Sequence, residues 1–393
     1  MICSNTPSVL SDMHRTRAWV EIDLVAIAHN IKALKGLLSP TTDLMSVVKA
    51  DAYGHGAVAV ARVAIRSGAT WLGVATVPEG IELRQAGIEV PILVMGAVNS
   101  PVEVREIARW HLQPTIVSPK QALVFSKTLA TDLDMATTEM SHPLPVHLQL
   151  DTGMSRLGFS WQQAVKLAQF VQQLPHLKAV GLYSHLATAD SPEPATMRLQ
   201  HQRFEQAIAD LKQVNLLPPT VHFANSAATL TDSALHYDMV RVGLSTYGLY
   251  PAPHLTKKIA LRPALSVKAR ITHLKTIEAG AGISYGHRFV APEPMRIAVV
   301  GIGYADGVPR LLSNKMQVAI AAKQVPQLGA ITMDQLMVDV SALENVQEGE
   351  VVTLLGQAGD QTLHANHWAA TTQTISWEIL CGFKRRLPRI TLS

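Results

Sequence analysis

Five stretches carry residue types that could do chemistry together. "VVKADAYGHG" sets Lys49 straight after an apolar run, with Tyr53 four positions on and His55 between two glycines. Later come "DTGMSRLG" with Arg156, "YSHLA" with His185, "HFANSAAT" with Asn225 and Ser226, and "VRVGLSTYG" with Arg241. A lysine packed in an apolar mouth is a candidate Schiff-base amine, because burial disfavours the ammonium and leaves a nucleophilic nitrogen. The competing reading is a solvated or salt-bridged loop lysine, which is commoner. Asn225 and Ser226 precede the helical "AATLTDS" and read either as a helix start able to hold an anion or as a plain N-cap. Gly243 lets the backbone approach a ligand, so that a neighbouring amide could bind phosphate, with a turn glycine as the alternative. An amine, a phosphate cradle and an arginine able to face a ring nitrogen are together what a pyridoxal phosphate site requires.

Such distant segments need a scaffold that gathers them. Strand candidates recur at Leu44–Val48, Trp71–Val74, Pro91–Val94, Pro114–Val117, Val146–Leu150, Ala179–Tyr183, Val221–Phe223 and Met239–Val242, separated by stretches of helical period such as "AVAVARVAIRSG" and "RLQHQRFEQAIADLKQV". Alternation of this kind argues for parallel pairing, and eight units point to an α/β fold with a closed (β/α)8 TIM-type barrel. An open doubly wound sheet is the alternative, although the expected G-x-G-x-x-G is missing after the first strand. In a barrel the carboxyl ends of the strands carry the chemistry, and the five stretches sit there. After "YGLYPAPHLTKK" short β-type runs alternate with Gly, Pro, Asn and Asp turns, which reads as a second, mostly-β domain. The expected organisation is an N-terminal extension over 1–16, the barrel over 17–253 and the β domain over 254–393.

Composition narrows the class. Hydrophobic residues make up 48% of 393 and charged residues 16%, so the chain folds around an aliphatic interior. The formal charge is +4 with no basic stripe interleaved with aromatics, which argues against nucleic acid as a partner. Cys3 and Cys381 form neither a disulfide framework nor a metal spacing, and no metal is expected. No apolar run approaches the ~20 residues of a membrane span, and the first residues lack signal-peptide layout. A cytoplasmic protein without membrane contact is expected.

The ordered set "VVKADAYGHG", "LQLDTGMSRLGF", "HFANSAATL", "RVGLSTYGLYP", "SYGHRF", "GYADGVPR" and "ITMDQLMVD" resembles the alanine racemase family of fold-type III pyridoxal phosphate enzymes. The resemblance implies interconversion of L- and D-alanine, supplying D-alanine for peptidoglycan. It implies Lys49 as the cofactor-bonded lysine, with Tyr53, Ser226 and the amides of Gly243 and Leu244 on the phosphate. His185 and Asn225 also lie at the cofactor, and Arg241 faces its ring nitrogen. Arg156 contacts the cofactor's phenolic oxygen or the substrate carboxylate, Met333 lies near that carboxylate, Tyr304 narrows the entrance, and Tyr285 is the second acid/base. A homodimer is implied in which Tyr285, Tyr304 and Met333 come from the other copy. Racemisation by itself asks for a base on each face of a planar carbanion, and a phenol of pKa ~10 must be tuned to serve, with His185 and Arg241 as the tuners. Arg241, which does not readily lose its proton, leaves the ring nitrogen unprotonated and limits transamination.

Two positions depart from the family pattern. Gln149 stands where some members carry a carbamylated lysine, so Arg156 needs its partner from glutamine, an anion or water. Arg385 stands where some carry a tyrosine. Rival readings are a fold-type III racemase or decarboxylase for another amino acid, a non-catalytic cofactor carrier, which would lack the β domain, and a cofactor-free Schiff-base aldolase.

Overall fold

The computed structural model describes residues 15–131 and 143–392, so Cys3 and most of the expected 1–16 extension lie outside the described residues. Two compact units result: Ala26–Ala52 with Ala57–Arg262, and the described part of Met1–Val25 with Tyr53–Gly56 and Pro263–Ser393.

Strand β1 (Ala18–Asp23) belongs to the second unit. The first unit holds β2 (Asp43–Val47), β3 (Trp71–Val74), β4 (Ile92–Ala97), β5 (Gln113–Ile116), β6 (Leu144–Asp151), the short β7 (Phe159–Ser160), β8 (Leu177–Tyr183), β9 (Thr220–His222) and β10 (Met239–Val242). All pairings among them are parallel, in the order β5-β4-β3-β2-β10-β9-β8-β6-β7. Pairing of Thr115 with His147 and Ile116 with Leu148 joins β5 to β6 and closes a ring of eight strands. Runs such as "ILVMGA" are apolar almost throughout because both faces of a parallel barrel strand are covered. The helices between are one-sided: Ala57–Arg66 buries Val60, Ala61 and Ala64, and Pro101–Arg109 starts on a proline whose missing N–H costs nothing there. Met45, Leu93 and Met239 pack together, with Trp71 and Met95 against them.

In the second unit β11 (Leu265–Ile277), followed by the short antiparallel pair β12 (Gly282–Ile283) and β13 (Phe289–Val290), pairs antiparallel with β1, with β14 (Met295–Val300) and with β18 (Val351–Ala358). The strands β15 (Gln317–Ile320), β16 (Lys323–Leu328) and β17 (Leu336–Asp339) complete a closed antiparallel ring with β11, β14 and β18. Two helices, Ala365–Thr372 and Ser376–Gly382, precede a last strand, Arg389–Leu392, which pairs parallel with β1.

The units divide differently from the expected 17–253 and 254–393. Residues 17–25 leave the barrel because β1 satisfies its backbone on strands more than two hundred residues away, which local periodicity does not reveal. The Pro-rich stretch after 250 stays with the barrel: Tyr250 Oη donates to Ile259 O at 2.7 Å, and Asn30 bonds both the carbonyl (2.8 Å) and the amide (2.8 Å) of Arg262. Among the described residues no helix is long and apolar enough to cross a membrane.

Candidate active site

Lys49, two residues past the end of β2, opens a helical turn, Lys49–Gly54, that winds the wrong way. Ala50, Asp51, Ala52 and Tyr53 have φ of 53°, 52°, 52° and 55°, and the Ala52 amide donates to Val48 O at 2.9 Å. This is a left-handed turn of four consecutive non-glycine residues. Each costs an L-amino acid ~1–2 kcal/mol, so the turn stands only because its surroundings hold it. Glu79 does most of this: Oε1 accepts the Ala50 amide at 2.8 Å, and Oε2 accepts the amides of Ala75 (2.7 Å) and Thr76 (3.1 Å). Asp51 Oδ1 accepts the Ala57 amide at 2.8 Å. Buried His55 donates from Nδ1 to Tyr53 O at 3.1 Å, and Arg389 Nε donates to Gly54 O at 3.2 Å. Gly54 itself is required, since a Cβ there would stand 2.8 Å from Leu380 O.

After the strands next round the ring from β2, β10 and then β9, Ser226 Oγ accepts the amides of Gly243 (2.9 Å) and Ser245 (3.4 Å). Leu244 is buried between them, and the buried hydroxyl of Ser245 finds no partner among the described residues. Asn225 is engaged as the N-cap of the short helix Ser226–Thr231, its Oδ1 accepting the Ala228 amide at 3.1 Å. A cluster of amides and hydroxyls with one hydroxyl unsatisfied suits a phosphate group.

Arg241, on β10, is buried inside the barrel. Its Nη2 donates to Ser184 O (2.8 Å) and Phe223 O (3.3 Å) and lies 3.5 Å from His185 Nδ1, while Nη1 donates to His222 Nδ1 at 3.1 Å. Burial lowers its pKa to about 10, which leaves it a cation at neutral pH. A guanidinium has only donors, so it fits a ring nitrogen that presents a lone pair. Burial, then the charges of Arg241, Arg156 and Lys49, hold His185 down at about 3, so its imidazole is neutral. Tyr183 donates to Gln149 Oε1 at 3.0 Å and therefore accepts from Thr115 Oγ1 at 2.8 Å. The Gln149 side-chain carbonyl is thus engaged by Tyr183. Arg156 lies exposed on the loop after β6, whose start is shaped by Asp151 Oδ1 accepting the amides of Gly153, Met154 and Ser155 at 2.9, 3.0 and 3.1 Å.

The remaining predicted residues lie on the second unit. Burial, helped by the charge of Cys381, pushes the Tyr53 phenol well above its ordinary range. Tyr285 rides a tight turn in which Ser284, Gly286 and His287 all have positive φ, and 70% of the tyrosine is exposed. Tyr304 and Met333 come together: the Tyr304 amide donates to Thr332 O and the Ala305 amide to Met333 O, both at 3.0 Å. Asp306 underlies this pair. Its buried carboxylate accepts two bonds from Arg17 (2.8 and 2.6 Å) and the Gly303 amide at 3.0 Å. Burial raises the Asp306 pKa, but the bonds from Arg17 and Gly303 and the charges of Arg17 and Arg386 outweigh it and hold the carboxyl below its usual range. Arg386 reaches both Asp306 (3.5 Å) and Asp334 (2.8 Å), whereas Arg385 is exposed.

Sequence reasoning missed Glu79, Gln113, His147 and Asp306 and gave His222 no role. The available signal was period two: in "QPTI" and "LPVHLQLD" the polar residues fall at alternate positions of otherwise apolar barrel strands.

Comparison with known proteins returns one family. Residues 22–251 match the family model "Alanine racemase, N-terminal domain", and residues 264–391 match "Alanine racemase, C-terminal domain". An alanine racemase of Nostoc sp. is 63% identical over 374 residues, 95% of each chain. The Bacillus anthracis alanine racemase solved with bound L-Ala-P is 34% identical and superposes with a TM-score of 0.88, over 96% of this chain and 95% of that one. The Bartonella henselae alanine racemase, solved with covalently bound pyridoxal phosphate, is 29% identical with a TM-score of 0.84, over 96% and 99%.

Proposed function

Since the chain belongs to the alanine racemase family, we propose that it interconverts L- and D-alanine with pyridoxal phosphate, using Lys49 and Tyr285 as acid/bases on opposite faces of the substrate. The observation that carries the reading is the left-handed turn fixed by Glu79, which sets one amine at the end of a barrel strand. When bound, the cofactor draws the electron pair of the substrate Cα–H bond into its ring and so acidifies that proton. The rest falls to the chain. Ser226, the amides of Gly243 and Leu244, and Tyr53 would hold the phosphate, with Asn225 shaping the same helix start. Arg241, cationic and donor-only, would face the ring nitrogen, and keeping its proton would leave that nitrogen without one.

Lys49 Nζ would take or return the Cα proton on one face. The Tyr285 hydroxyl, supplied by a second copy of the chain, would do so on the other. Neutral His185, held in place by Arg241, is the group that would orient that phenol. Arg156 and Met333 would meet the substrate carboxylate, and Tyr304 would narrow the entrance so that a methyl side chain is favoured. The exposure of Tyr285 (70%), Met333 (53%) and Tyr304 (40%) supports the homodimer, because large apolar side chains left open in one copy are what a partner covers. A cytoplasmic location and a supply of D-alanine for peptidoglycan fit this activity.

The test of substrate is a chiral assay of purified protein, supplied with pyridoxal phosphate, on single L-amino acids. D-Alanine forming fastest supports the reading. Activity on another amino acid with none on alanine overturns it.

A further inference from the structure

Four polar residues of the barrel strands, Gln113, His147, His222 and Arg241, form a hydrogen-bonded line from β5 to β10. Its direction can be read from the arginine end. Arginine only donates, so the 3.1 Å contact from Arg241 Nη1 makes His222 Nδ1 an acceptor. A protonated His222 would turn an N–H toward the guanidinium, so the ring is neutral and its one proton sits on Nε2. That nitrogen faces His147 Nδ1 at 2.9 Å, which must therefore accept. His147 in turn carries its proton on Nε2 and donates to Gln113 Oε1 at 3.0 Å. One end of the line cannot accept and the other is a carbonyl that cannot donate, so both rings are held in one tautomer.

The packing is built around this line. His147 and His222 are wholly buried. The strands β6 and β9 are not neighbours, and the His147 ring crosses β8 to reach His222 only because residue 181 is glycine: a Cβ there would stand 2.0 Å from His147 Nδ1. Tyr183 stacks on His222 with centroids 4.7 Å apart and planes 16° apart, and the Arg241 guanidinium lies 5.0 Å over the same Tyr183 ring. Burial and the Arg241 charge also push His147 down to about 3 and His222 well below its ordinary value, which agrees with two neutral rings.

We propose that Gln113 is a positioning residue: its side-chain carbonyl, acting through the fixed tautomers of His147 and His222, holds the Arg241 guanidinium in its working orientation. This rests on the reading of Arg241 as the ring-facing group. The relay spans the barrel interior, so a residue at the start of β5 controls a donor on β10.

The test uses holoenzyme labelled with 15N in its histidine rings, as wild type and as Gln113→Met, which keeps length and removes the acceptor. In the wild type both rings should show the neutral Nε2–H pattern, unchanged between about pH 6 and 9. In Gln113→Met both rings should distribute between tautomers, and kcat on alanine should fall roughly tenfold with KM changed less than about twofold. Wild-type rings in the opposite or a mixed tautomer overturn the proposal even if the variant fails to fold. Unchanged tautomers, or unchanged kcat, in Gln113→Met also overturn it. A wild type that does not racemise alanine defeats the proposed function instead, and the ring signals then still decide whether Gln113 sets the tautomers.

Discussion

Glu79 Oε1 accepts the backbone amide of Ala50, the residue after Lys49, at 2.8 Å, while its other oxygen ties down the amides of Ala75 and Thr76. A single carboxylate thus couples the ends of two adjacent barrel strands and stabilises a left-handed turn. Glu79→Gln should therefore weaken the turn, because an amide supplies one acceptor oxygen where the carboxylate supplies two. The expected loss is on the order of 2 kcal/mol in urea unfolding. Cofactor should also leave more readily, measured as loss of bound-cofactor absorbance on dilution. Retention equal to wild type would show that the turn does not need Glu79.

Arg241 is held by Ser184, Phe223 and His222 with its charge intact. Arg241→Glu would set a protonatable acid at that place and allow a proton on the ring nitrogen. The partition between racemisation and transamination, followed by pyruvate release during turnover, should shift toward transamination. An unchanged ratio argues against Arg241 as the selectivity device.

Acid should destabilise the fold through its buried histidines. His147 and His185 are pushed down to about 3, and His222 is lowered too, so below the ordinary value near 6.5 the unfolded chain binds protons that the folded one does not. The stability this represents is complete above about pH 6.5 and is lost as pH falls toward 3, at about 1.4 kcal/mol per pH unit for each such proton. Urea midpoints should drop on going from pH 7 to pH 5. A His147→Gln variant, compared with itself at the two pH values, should show a smaller drop.

Asp306 underlies the loops that hold Tyr304 and Met333. Arg17→Ala leaves the buried carboxylate with less compensation, at a cost on the order of 2 kcal/mol, reduced from the fully buried case because the Arg17 side chain is 35% exposed. KM for alanine should rise several-fold as Tyr304 and Met333 loosen, with kcat changed less, and serine should gain relative to alanine. Steady-state kinetics on both substrates check this.

Much of this was legible in the chain because barrel strands advertise themselves as short apolar runs, and Lys49, Ser226 and Arg241 each follow or end one. Local signals went no further. Strand β1 reads as the start of the barrel, yet its partners are β11 and the last strand, and only long-range pairing assigns it. The left-handed turn was equally hidden, because Ala50, Asp51 and Ala52 are ordinary right-handed residues by propensity and are overridden by Glu79 from another strand end. His55, which had no explanation beyond the turn, is the donor that closes onto Tyr53 O.

In the proposed reaction, protons reach both faces of the substrate through Lys49 and Tyr285. The direct measurement is incubation of the holoenzyme with L-alanine in heavy water, following α-deuteration and D-alanine formation together for wild type, Lys49→Ala and Tyr285→Phe. Deuterated D-alanine is expected from the wild type and none above background from either variant. Full activity in Lys49→Ala, or racemisation in Tyr285→Phe at the wild-type rate, would contradict the proposed reaction.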